Sequence, residues 1–164
     1  NSQIAIGRDN TATNLDAIAI GRDTHATGSG ATAFGARADA SGNNSIAIGQ
    51  SGKTSDRVVA SGVNSIAIGM QSQATGESAI AEGPGSRAGG KYGVALGRTT
   101  KANAEAATAL GNAAEANIAN GVALGFSSVT TTDKGVLGYN PSDPHDRKYK
   151  NLKGNVQKIG RAHV

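Results

Sequence analysis

The chain is 164 residues long, with 16 Lys/Arg against 12 Asp/Glu, 24 glycines, five aromatic residues and no cysteine. The length suits a single domain, and the missing cysteine excludes a disulfide frame or a thiolate metal site. Residues 1–132 carry nine basic and nine acidic side chains, so the net +4 arises in 133–164, where seven basic residues meet three acidic ones; a neutral, aromatic-poor body argues against a nucleic-acid partner.

Ile, Leu, Val and Phe number only 28, a share that usually warns of disorder. Here the apolar residues are periodic and the charge modest, so an ordered chain with a thin core is expected. No apolar run is long enough for a membrane-spanning helix.

The first element, Ser2-Gln3-Ile4-Ala5-Ile6-Gly7, opens a series of phrases of the form Ser-Ile-Ala-Ile-Gly. They close on Gly7, Gly21, Gly35, Gly49, Gly69, Gly83, Gly97, Gly111 and Gly125, in steps of 14 residues apart from one of 20. A fixed period signals stacked units, each touching only its neighbours. The chain starts inside a repeat, so it reads as a piece of a longer protein whose membrane anchor lies outside it.

Within each phrase large and tiny side chains alternate, as in Ile46, Ala47, Ile48 and Gly49, which is the period of a strand with two unlike faces. Five residues after each glycine stands an alanine: Ala12, Ala26, Ala40, Ala60, Ala74, Ala88, Ala102 and Ala116. Two residues further on, Asn14, Gly28, Gly42, Gly62, Gly76 and Gly90 suit a turn with positive φ. Fourteen residues thus form two short strands and two turns, one coil of an all-β parallel β-roll, a solenoid of about nine coils stacked roughly 4.8 Å apart.

Only small side chains fit inside so narrow a roll, so the large ones must point outward. The outward stripe comprises Ile4, Ile6, Ile18, Ile20, Phe34, Ile46, Ile48, Ile66, Ile68, Ile80, Val94, Leu96, Leu110, Val122 and Leu124. Burying each is worth about 2 kcal/mol, and a stripe this long needs a cover that a lone soluble chain lacks. Further copies of the chain, closed into a symmetric ring, are the expected cover.

The 20-residue step places six extra residues between Gly49 and Ala60. Lys53, Thr54, Asp56 and Arg57 in this loop are candidate ligand contacts, since repeat-breaking loops often carry function; a plain surface insertion is the alternative. Glu82 replaces an isoleucine in Ile80-Ala81-Glu82-Gly83 and so joins the stripe. Gathered copies of this carboxylate are costly unless paired or protonated; Arg98 and Arg87 are the candidate partners, with water or an ion as the alternative. Thr32 and Thr108 replace other stripe residues and keep β-branching, and Thr32 makes room for the bulk of Phe34.

The phrases Ser45-Ile46-Ala47-Ile48-Gly49, Ser65-Ile66-Ala67-Ile68-Gly69 and Gly93-Val94-Ala95-Leu96-Gly97, joined by Ala-Thr-Gly or Ala-Ser-Gly, resemble the head repeats of YadA-type trimeric autotransporter adhesins. The resemblance covers residues 1–126. It implies a left-handed roll, a homotrimer with the stripe residues and Glu82 facing its axis, and display on the bacterial cell surface through an outer-membrane anchor. It also implies host matrix proteins or cell-surface receptors as partners, and no cofactor.

The segment Val122–Tyr139 resembles the passage from head to neck, so residues 127–164 are expected to form a head-to-neck transition and a basic C-terminal segment; the usual neck ending is absent, and Asn140–Val164 departs from the pattern. Leu152, Val156 and Ile159 stand at single-heptad spacing interrupted by Gly154; a basic, turn-rich extension describes the segment.

Catalytic patterns are missing. His25, His145 and His163 are far apart in sequence, with His25 expected to be solvated beside Asp23, and neither a nucleophile elbow nor a phosphate loop occurs. An acyltransferase of the hexapeptide type would need 18-residue coils with bulky residues inside. Calcium-binding rolls need nonapeptides that are absent here, and an ice-binding face needs more than Thr11-Ala12-Thr13. The non-enzymatic alternatives are therefore an adhesive head, with contacts drawn from Arg22, Asp23, Arg37, Asp39, Lys91, Tyr92 and the loop, or a passive rigid spacer.

Overall fold

The computed structural model describes residues 2–53 and 55–131, together with the backbone of Val156–Ile159. The phrases form the odd-numbered strands: β1 (Ile4–Arg8), β3 (Ile18–Arg22), β5 (Thr32–Ala36), β7 (Ile46–Ile48), β9 (Ile66–Ile68), β11 (Ile80–Glu82), β13 (Val94–Leu96), β15 (Thr108–Leu110) and β17 (Val122–Leu124). The alanine landmarks form the even-numbered ones: β2 (Thr11–Ala12), β4 (His25–Ala26), β6 (Ala38–Ala40), β8 (Val58–Ala60), β10 (Gln73–Ala74), β12 (Arg87–Ala88), β14 (Lys101–Ala102), β16 (Glu115–Ala116) and β18 (Val129–Thr130). Each odd–even pair is one coil, so the chain is a parallel β-solenoid of nine coils, with no helix among the described residues.

Every phrase pairs with the next in parallel and in register: Ile4 lies beside Ile18, Ala47 beside Ala67, and Leu96 beside Leu110. The even strands stack likewise, Ala60 beside Ala74 and Ala102 beside Ala116. Side chains therefore run in straight ranks along the roll. The inward ranks are almost wholly alanine, glycine, serine and threonine, and the largest fully buried side chain is Val58. In one inward rank the hydroxyls have a purpose: Thr24 Oγ1 donates to the Gly35 carbonyl at 2.5 Å and Thr100 Oγ1 to that of Gly111 at 2.8 Å. Each gives the carbonyl of a phrase-closing glycine a side-chain donor from inside the roll.

The glycines after each alanine landmark correct one expectation. Gly28, Gly42, Gly62, Gly76 and Gly90 do not adopt positive φ. They are buried where successive coils touch, and a Cβ at Gly42 would overlap the Gly62 carbonyl oxygen. Close approach, not a left-handed turn, selects them. The left-handed corner falls two residues later, at Asp16, Gly30, Asn44, Asn64, Ser78, Tyr92, Ala106 and Asn120. The phrase-closing glycines meet both demands: Gly35 has φ 113°, and a Cβ there would strike the Gly49 carbonyl.

The inserted residues are 52–57. Ser51 N–H still bonds to the Ala36 carbonyl at 3.0 Å, as a 14-residue coil requires, whereas the next paired residue, Val58, lies beside Ala38. At the far end, Val156–Ile159 forms β19, a tenth strand of the odd sheet, paired with β17 through an irregular register. This corrects the heptad reading of Val156 and Ile159: they lie on a strand, not a helix. Leu152 and Gly154 lie outside the described residues.

Steric selection at the coil contacts predicts that Gly42→Ala costs about 2 kcal/mol, as overpacking does. Gly52→Ala, where an added Cβ meets nothing within 4 Å, should stay within about 0.5 kcal/mol of the parent. Urea unfolding at one fixed protein concentration separates the two; equal effects would contradict the packing account.

Candidate functional site

Two surfaces stand out from the regular coil. The first is the outward face of the odd sheet. Its inward alanines, Ala19, Ala33, Ala47, Ala67, Ala81, Ala95, Ala109 and Ala123, are fully buried, so the flanking residues of each strand emerge on the other side. None of the sixteen stripe residues lies inside its own coil. Ile4, Ile6, Phe34, Ile48, Glu82, Leu110 and Leu124 are exposed, and Ile18, Ile20, Ile46, Ile66, Ile68, Ile80, Val94, Leu96 and Val122 are half-buried, each shielded only by its rank neighbours. Phe34, in register between Ile20 and Ile48, is 52% exposed and stands two residues from the smaller Thr32. A continuous, ordered apolar face is thus presented by a rigid sheet.

The second surface is the insertion, which is clipped down at both ends. Asp23, at a left-handed corner with φ 56°, receives Arg57 Nη2 on Oδ1 at 2.6 Å, and its main-chain carbonyl receives Arg57 Nη1 at 3.0 Å. Arg37 Nε lies 3.5 Å from Asp23 Oδ2, and Arg37 Nη1 donates to the Ser51 carbonyl at 3.0 Å. On the other side, Gln71 Nε2 donates to Asp56 Oδ2 at 2.9 Å. The insertion thereby connects four successive coils, those of Asp23, Arg37, Ser51 and Gln71.

Hydrogen bonding from Arg57 holds the Asp23 carboxyl below the usual carboxylate range. Partial burial opposes this, and the charges of Arg57, His25 and Arg37 reinforce it. His25 is less solvated than its turn position suggested: it sits half-buried on β4 with Nε2 3.5 Å from Asp23 Oδ1. Of the four loop candidates, Asp56 and Arg57 are occupied by these contacts, Lys53 is exposed, and Thr54 lies outside the described residues. No sequence rule links Arg57 to Asp23, 34 residues earlier; only the coil register brings them together.

Opposite charges also pair between adjacent coils on the outer turns and the even sheet. Lys91 Nζ lies 2.9 Å from Glu77 Oε2 and 4.9 Å from the Tyr92 ring centroid. The hydrogen bond that Lys91 donates to Glu77 raises the pKa of its ammonium above the ordinary value, and a hydrogen bond from Lys101 lowers that of the Glu115 carboxyl. Both are lateral pairs between adjacent coils. Of the remaining contact candidates, Arg22 is exposed, while Asp39 is half-buried on β6 beside His25 in the rank. No group of three or more His, Cys, Asp or Glu side chains is placed to hold a metal ion among the described residues. No described helix is long and apolar enough to cross a membrane.

The clip predicts that Arg57→Gln lowers stability by about 1 kcal/mol, the scale of a partly exposed ion pair. Asp23 has a lower carboxyl pKa in the folded chain than unfolded, so its contribution is complete above about pH 5 and is lost as pH falls through the depressed folded value. In a His25→Gln background, where the carboxyl alone changes charge at this cluster, the stability gap between Asp23 and Asp23→Asn should therefore be flat from pH 7 to 5 and close below pH 4. A gap that widens with acid would contradict the assignment.

The profile described as the YadA head domain repeat, which spans two repeat copies, matches residues 4–24, 26–51, 60–86, 88–114 and 102–128. No curated protein matches the chain. The profile covers well over half of the sequence and stops and restarts around the insertion, between residues 51 and 60, where the coils themselves are interrupted. The chain belongs to the YadA head domain repeat family.

Proposed function

We propose that this chain is the adhesive head of a bacterial surface adhesin, assembled as a homotrimer in which the odd sheets face a common axis. The single observation that carries the reading is the continuous apolar rank on that sheet, with Ile4, Ile6, Phe34, Leu110 and Leu124 each more than a third exposed in one chain. The coil interior has no room to take these side chains back, because the alanines beneath them are already fully buried. Burial between copies is the remaining way to remove them from water.

In that arrangement the even sheet and the outer turns look away from the axis. They offer ligands a rigid array of exposed groups such as Lys53, Arg87 and Tyr92, repeated three times. Three weak contacts on one rigid body add through effective concentration. Host matrix proteins or cell-surface molecules are the ligand class we assign, and the site of action is the bacterial surface, with an outer-membrane anchor supplied by other parts of the protein.

Light scattering should give three times the mass of one chain for the parent. Ile48→Asp should dissociate the assembly or leave it insoluble, whereas Thr75→Asp, on an exposed outer turn, should not. A parent that stays a single, well-behaved chain would end the trimer reading. With the trimer established, capture of matrix proteins or host cells by the immobilised assembly tests adhesion. Capture of nothing would leave the head as a rigid spacer.

A further inference from the structure

Among the described residues, Glu82 is the one charged side chain in the two outward ranks of the odd sheet. Its rank neighbours are Ile68 on β9 and Leu96 on β13. It is exposed and makes no ion pair or side-chain hydrogen bond among the described residues. Beside it lies an open, shallow groove lined by Glu82, Leu96 and Leu110 together with Gly83, Gly97 and Gly111. The groove is apolar except for that carboxylate at its end.

Such a groove fits the hydrocarbon stem of a long cationic side chain, with the carboxylate at the far end to receive the charge. Arg87 is excluded, because it projects from the outer face of β12 on the opposite sheet. Residues two positions beyond the stripe border the apolar face at the corner, and in the coils nearest Glu82 they are Met70, Pro84, Arg98 and Asn112. Arg98 is the sole cation of this set, one coil from Glu82, or about 4.8 Å along the roll. It is exposed and has no ion-pair partner among the described residues. Gly97, at φ 133°, turns the backbone off the sheet just before it, so Arg98 leaves from the rim of the face.

Resting on the trimer reading above, we propose that Arg98 of a neighbouring copy lies in this groove and pairs with Glu82, so that each interface carries one buried inter-subunit ion pair. The carboxylate that interrupts the apolar stripe is then a registry element. A shift of one coil between copies would bring Glu82 against Pro84 or Asn112 in place of Arg98 and leave its charge unpaired, which is strongly unfavourable away from water.

The chain has no native cysteine, so E82C/R98C treated with a short bis-maleimide reports the pairing directly. Linkage of residue 82 in one copy to residue 98 in the next yields covalent trimers on a denaturing gel. E82C alone stops at dimers, since each thiol reacts once. Monomers bridged internally, or no linkage at all, would overturn the pairing. Independently, E82Q and R98Q should each weaken trimer association about tenfold, and the double variant no more than either single. Additive losses, or an E82Q trimer tighter than the parent, would also overturn it. Light scattering on the parent comes first: a parent that is not a trimer removes the trimer reading itself, whereas a parent trimer without coupling removes only this pair.

Discussion

Adjacent coils approach so closely at Gly42, Gly62 and Gly76 that a single added methyl would overlap the next main-chain carbonyl. This spacing is set by the parallel hydrogen-bond ladder running without a break through both sheets, and the rest of the structure follows from it. A coil of 14 residues encloses only enough space for ranks of alanine, glycine, serine and threonine. The hydrophobic effect scales with apolar area removed from water, and alanines bury little each. A core of this kind leaves most of the large apolar surface outside.

The outward face of the odd sheet is the complement of that deficit. In an ordinary sandwich the isoleucines would turn inward and meet a second sheet. Here the strand's period of two leaves them one alternative, the opposite face. On the assembly proposed above, folding divides between two levels, with main-chain pairing and small-residue packing inside the chain and large-residue burial between chains. Glu82 is intelligible only at the second level, since no described residue of its own chain answers its charge.

Much of this was legible in the residues themselves. The 14-residue step gave coil count and register, and the Ile-Ala-Ile alternation assigned the two faces of every odd strand, because a straight rank converts sequence spacing directly into position. The reason for the glycines at 28, 42, 62, 76 and 90 was not legible: glycine serves a left-handed turn and a tight contact equally well, and φ alone distinguishes them. Arg57 was visible only as a loop charge. Its bond to Asp23 depends on how six extra residues fold back over two coils, which no local propensity encodes. The strand at Val156–Ile159 was hidden because its pairing with β17 breaks the period that made every other strand readable.

Solenoids whose units meet only their neighbours respond to force one unit at a time, since removing the last coil leaves the next no weaker than before. The bridge from Asp23 through Arg37 and Arg57, continued by Asp56 to Gln71, breaks that independence for four coils. A pull that peels the roll would meet a section that gives way as one block. These four coils would then act as a built-in stop against unravelling.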